Sequence, residues 1–209
     1  LMEPAIESYN YIDKIPDNIP SVKYPRTPGY KPSDEENKFN AWSVKTTVVG
    51  NSRGKLNNLN NVSDHITFVE GDIRDKEKVF LVTKDISSII HLAYVNGTEN
   101  FYTQPYEVLE IAIKGMINII DSMIVNNVKE LILASSSEVY QQPSIIPTDE
   151  KIPIYIPDIF NPRISYGGGK IISELLSINF SKSKNKKLLI FRPHNVYGPN
   201  MGNEHVIPE

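Results

Sequence analysis

The sequence predicts an α/β protein built on a doubly wound parallel sheet, and three observations carry that expectation. Short apolar runs bounded by polar residues recur along the chain, as buried parallel strands do. Between two of them lies a long stretch with apolar residues at helical spacing, and strand–helix alternation of this kind builds parallel sheets. The strongest run, Leu131–Ala134, breaks into Ser135, Ser136 and Ser137. Open α/β sheets place their ligands at the carboxyl ends of strands, so these serines mark a candidate site.

The elements follow in order. Residues 1–42 carry six of the fifteen prolines, with no sustained periodicity. Proline at that density blocks helix interiors and central strands, so an irregular arm is expected, with residues 43–209 forming the folded core. Thr46–Val49 reads as a strand, followed by Gly50, Asn51 and Ser52. Ile66–Glu70 is a second strand with Gly71, Asp72 and Ile73 at its exit. Ile86–Ala93 is a third; it contains His91, which an apolar run makes a core histidine rather than a ligand. Tyr106–Val125 has the apolar spacing of a helix lying on a sheet. After Leu131–Ala134 comes a proline-rich loop, residues 141–164, long enough to cover a substrate. A helix from Tyr166 to about Phe180 and a last strand, Leu188–Phe191, complete the pattern.

Bulk properties bound the function. A net charge of −3 and a pI near 5.9 argue against nucleic acid and anionic membranes as partners. The chain has no cysteine, hence no disulfide frame and no thiolate metal site. No apolar run approaches the length of a membrane span, and no signal-peptide region opens the chain. These features fit a cytoplasmic protein.

Tyr166 and Lys170 stand four apart at the head of a helical pattern and so share one face. A phenol titrates near 10, and a neighbouring ammonium would favour its phenolate, making it a usable base. Among 11 tyrosines, about one pair of this spacing arises by chance, so the spacing alone carries little. The context carries more. Strand-Ser-Ser-Ser-Glu-Val-Tyr at 131–140, Ser-Tyr-Gly-Gly-Gly-Lys at 165–170 and Phe-Arg-Pro-His-Asn-Val-Tyr-Gly-Pro at 191–199 follow one another in order. Together they resemble the extended short-chain dehydrogenase/reductase family, and within it the NAD-dependent epimerase/dehydratase branch, which acts on nucleotide sugars. The resemblance spans roughly residues 46–209.

That resemblance implies a Rossmann-like doubly wound parallel sheet. It is expected to be incomplete, because the sequence shows no glycine-rich opening turn and no substrate region beyond Glu209. By resemblance, Ser136, Tyr166, Lys170 and Glu138 are catalytic. Asn51, Ser52, Asp72, Ile73, Ala93, Lys170 and Pro193 bind cofactor, and Ser137 and Asn195 contact substrate. Two departures stand out. Gly50 occupies the place of the family's ribose-binding acid, and Ala112 that of a helix asparagine. The implied cofactor is NAD, with NADP left open, and no metal. The implied activity is nucleotide-sugar epimerisation by transient oxidation. A dehydratase or decarboxylase of the same family, or a catalytically inactive scaffold, stands as the alternative. Relatives often form a homodimer through the two helices that follow the third and catalytic strands; the helix at 106–125 could serve, and a buried internal face would explain it equally well.

Overall fold

A computed structural model describes residues 46–50, 66–95 and 97–196. Asn51, Ser52, residues 1–42 and residues 197–209 lie outside the described residues. In order, the described elements begin with β1 (Thr46–Gly50), β2 (Ile66–Glu70), α1 (Lys76–Val82) and β3 (Ser88–His91). There follow α2 (Thr98–Thr103), α3 (Pro105–Val125), β4 (Glu130–Ala134), α4 (Ile164–Lys184) and β5 (Lys187–Phe191).

All strand pairings are parallel. β1 pairs with β2, and β4 lies between β3 and β5, with Leu131 opposite Ile89 and Leu188. Among the described residues the two sheets share no strand. In the doubly wound order the opening strand lies between the second and the fourth. The separation falls at that place, for which the sequence suggested no strand.

Local chemistry sets the element ends. Asp75 caps α1 by accepting from the Lys78 amide at 3.0 Å. Pro105 opens α3, where its missing N–H goes unused. Asn185 closes α4 in the left-handed conformation. The core forms on one face of the three-stranded sheet: Ile89, Leu131 and Leu133 pack against Val79 of α1, Met116, Ile119 and Met123 of α3, and Phe180 of α4. On the other face Ile90, Leu189 and Phe191 remain exposed. The described helices thus cover one face of strands whose composition suits burial on both.

Residues 141–163 have neither helix nor strand, as expected, and Ile164, the last residue of the expected loop, opens α4. The third strand is shorter than expected: Ile86 and Leu92 extend the apolar run, but pairing with β4 runs only from Ser88 to His91. Among the described residues no helix is long and apolar enough to cross a membrane. No group of three His, Asp or Glu there could hold a metal.

Candidate active site

Hydrogen bonds carry the chain past the end of β4 and set the site. The Ser135 amide donates to Phe191 O at 2.8 Å, and the Ser137 amide to Pro193 O at 3.0 Å. Ser136, in extended backbone, caps a short 3₁₀ turn over Ser137–Tyr140, its Oγ accepting from the Glu138 amide at 3.2 Å. Ser136 is thereby fixed at the carboxyl edge of the sheet. Tyr166 enters from the first turn of α4 and Lys170 follows one turn later on the same face.

These three groups converge. The Ser136 side chain stands close enough to the Tyr166 phenol to pull its pKa down. Lys170 Nζ donates to Ala134 O at 2.7 Å and lies 5.7 Å from the centre of the Tyr166 ring. Ser136 and Lys170 are buried, Tyr166 half-buried. Burial shifts both ionisable groups toward neutrality. It raises the Tyr166 pKa, against which Ser136 and Arg163 pull down while Glu138 adds to the rise. It lowers Lys170 to about 8, with Glu174 opposing. The groups that favour the phenolate here are therefore Ser136 and Arg163.

Three of these neighbours were not anticipated. Arg163 Nη2 binds Glu138 Oε1 at 2.6 Å, and its guanidinium lies 4.9 Å over the Phe101 ring. Phe101 in turn packs on Tyr166 at 4.8 Å, and Tyr94 meets it edge-on at 5.1 Å. No local sequence pattern links residues so far apart, although Arg163 lies three before Tyr166, within reach of its helix face. Glu138, expected as an acid or base, is held in an ion pair.

The other expected residues scatter around this centre. Asp72 lies at the exit of β2, where its carboxylate is taken by Arg74: Nη2 to Oδ2 at 2.6 Å and the Arg74 amide to Oδ1 at 2.8 Å. That pairing holds its pKa below the usual carboxylate range. Ile73 packs against the core and gives its carbonyl to Asn118 Nδ2 at 2.9 Å. Ala93 and Asn195 are exposed, and Ser137 and Pro193 half-buried. Ala112 is buried, as is His91.

Among the described residues, an NAD site fits at the ribose end. An ammonium has three donors; Lys170 gives one to Ala134 O and keeps others beside Tyr166. Ser135, the residue after Ala134, has a buried Oγ that lacks a hydrogen-bond partner. A ribose hydroxyl suits such a set. At the expected adenine end the Asp72 side chain is already occupied by Arg74.

Comparison with known proteins decides the family. Residues 40–209 match the NAD dependent epimerase/dehydratase family. The chain belongs to that family. It is similar to a putative UDP-glucose 4-epimerase of Methanocaldococcus jannaschii, with 33% identity over 145 residues, covering 68% of this chain and 45% of the relative. In structure it resembles UDP-glucose 4-epimerase of Thermotoga maritima, solved with UDP-glucose, at 27% identity and a TM-score of 0.66, covering 79% of this chain and 52% of that one. UDP-N-acetylglucosamine 4-epimerase of Methanobrevibacter ruminantium gives a TM-score of 0.68 at 25% identity, with 78% and 51% covered. These neighbours bear out the Rossmann-like fold. This family member spans about half the length of these three proteins.

His91 gives this family member a testable pH response. Burial holds its pKa at about 4, against 6.5 in an exposed histidine, and the Lys170 charge adds to the shift. The unfolded chain takes up this proton near pH 6.5 and the folded protein only near pH 4. Stability tied to His91 is thus complete above 6.5 and is lost as pH falls toward 4. Urea unfolding at about pH 7 and about pH 4.5 should show a smaller acid loss in His91→Leu than in the wild type. Equal losses would contradict it.

Proposed function

We propose that this chain carries the reactive centre of an NAD-dependent nucleotide-sugar epimerase. The observation that supports the reading most is the meeting of Ser136, Tyr166 and Lys170 at the carboxyl edge of β4. The names of the relatives supply the substrate class, UDP-hexoses.

In this reading Tyr166, as phenolate, takes the proton of a sugar hydroxyl. Ser136, beside that phenol, donates to the sugar oxygen as it becomes a carbonyl. Lys170 directs its remaining donors to the nicotinamide ribose, and Pro193 and Ala93 line the cofactor's path. NAD, when bound, supplies a reversible hydride sink for the sugar carbon, and hydride return to the other face of the ketone inverts that centre. Ser137 and Asn195 would contact the sugar. The loop at 141–164, with Ile146, Ile159 and Phe160 exposed, would cover it. Two copies would pair through α3, on which Ile117 and Ile124 are exposed.

Glu138 decides between epimerase and the elimination-type alternatives. A dehydratase or decarboxylase would use its carboxylate on a proton, and here Arg163 holds it at 2.6 Å. That favours epimerisation. The test is turnover of UDP-galactose to UDP-glucose, followed by NMR at saturating NAD, with Tyr166→Phe beside the wild type. Loss of the acid–base group should lower the rate by roughly 10²- to 10⁴-fold. An unchanged rate in Tyr166→Phe would remove Tyr166 from the mechanism. Release of a 4-keto-6-deoxy sugar by the wild type would replace epimerase with dehydratase.

A further inference from the structure

We propose that Tyr94 is a positioning residue: its ring, seated in a slot that Gly169 and Ala112 leave open between α4 and α3, holds the Lys170 ammonium against the carboxyl end of β4 and braces the Tyr166 ring. The proposal rests on the reading of Lys170 and Tyr166 as reactive groups.

The slot is shaped for this ring. A Cβ on Gly169 would collide with the Tyr94 hydroxyl, and would come within 3.3 Å of Tyr94 Cζ and 3.0 Å of Ala112 Cβ. Glycine and alanine at these two places therefore open the volume that the phenol fills. A glycine in a helix interior is destabilising relative to alanine, so the gap at 169 needs a reason, and the Tyr94 ring is one.

From that seat Tyr94 touches both reactive groups. Lys170 Nζ lies 3.9 Å from the centre of its ring, and its edge meets Tyr166 at 5.1 Å. Its hydroxyl reaches Tyr166 O at 3.4 Å, a long bond, so the ring rather than the hydroxyl carries the role. Among the described residues little else places the ammonium. Glu174 lies one turn along α4, but its carboxylate is bound by Arg192 at 2.6 and 2.8 Å. His91, from β3, stays neutral above about pH 4. What remains is Ala134 O at 2.7 Å on one side and the aromatic face on the other. A buried ammonium is well served by that pair. A lysine stem with four rotatable bonds would otherwise sample several positions.

The test follows the Lys170 ε-methylene by NMR in lysine-labelled protein, its signal assigned by loss in Lys170→Arg. In the wild type the signal should lie upfield of other lysines, from the Tyr94 ring current, and titrate near the lowered value of about 8. Tyr94→Phe should reproduce both properties. Tyr94→Ala should abolish the upfield displacement and move the midpoint toward the ordinary 10.5, as water reaches the ammonium. Gly169→Ala, which expels the ring, should do the same, and the double variant should go no further than either single one. Should Tyr94→Ala not fold, Tyr94→Leu keeps apolar volume without a ring and carries the test. Unchanged Lys170 shift and midpoint in folded variants lacking the ring would overturn the proposal. The measurement needs no NAD and no turnover, so failure of the epimerase reading would show in the turnover assay alone.

Discussion

The 209-residue chain is expected to bind NAD only in roughly the millimolar range or more weakly. Pyrophosphate recognition in such folds comes from backbone N–H groups of a glycine-rich turn at a helix N-terminus. Before Thr46 the sequence offers a single glycine, Gly29, and no Gly-x-x-Gly-x-x-Gly occurs anywhere in it. The family resemblance puts Gly50 where a ribose-binding acid is expected. Loss of two or three charge-assisted hydrogen bonds, at about 1.5–3 kcal/mol each, weakens binding by about two to six orders of magnitude. The donors of Lys170 beside Ala134 and Tyr166 would not offset that, because in the proposed role they address only the nicotinamide ribose. The Asp72 carboxylate, which would face adenine, is engaged by Arg74 instead. Calorimetric titration of the chain with NAD measures this directly. A dissociation constant in the low micromolar range would show that another part of the chain holds the pyrophosphate.

Arg192→Ala is expected to give the largest loss of stability. Arg192 binds Glu174 in a two-pronged pair, Nε to Oε1 at 2.8 Å and Nη2 to Oε2 at 2.6 Å, and gives Nη1 to the Tyr140 hydroxyl at 2.8 Å. The Glu174 side chain is 6% exposed and that of Arg192 19%. Removing the guanidinium leaves a buried carboxylate without its counterion, at a cost of about 3–5 kcal/mol. In a domain of this size each kcal/mol lowers the melting temperature by about 2–4 °C, so the melt should fall by roughly 6–20 °C. The double variant Glu174→Met with Arg192→Met, which removes both charges, should recover much of the loss. If Arg192→Ala melts within about 2 °C of the wild type, the pair is not an element of stability. The pair also ties the exit of β5 to α4, so this variant should disturb the backbone around Pro193.

The strands and the two long helices were legible because their signals are local. Leu131–Ala134 and Leu188–Phe191 are apolar runs ending in polar residues, and β4 and β5 match them to within one residue. The helix expected at 106–125 begins one residue earlier, at Pro105, and that expected from Tyr166 begins two earlier and runs on to Lys184. Two short helices escaped. Lys76–Val82 buries only Val79 among its apolar residues, too little for a period to show. Thr98–Thr103 has six residues, fewer than two turns. The third strand was read too long, since apolar character continues past the residues that find a partner in β4.

The sequence by itself determined the parallel α/β plan, the family, and the placing of Ser136, Tyr166 and Lys170 at one sheet edge. Strand ends and a four-residue helical step follow from nearest-neighbour geometry, and the ordered motifs carry the rest. Only the tertiary structure decided what surrounds those groups. Arg163 takes Glu138, Arg192 takes Glu174 and Arg74 takes Asp72. Tyr94 enters the slot beside Gly169, and burial moves Lys170 down and Tyr166 up. Most of these are contacts between residues far apart in the chain. They depend on which side chains the packed helices bring within a few ångströms of each other, and no period or spacing along the chain records that distance.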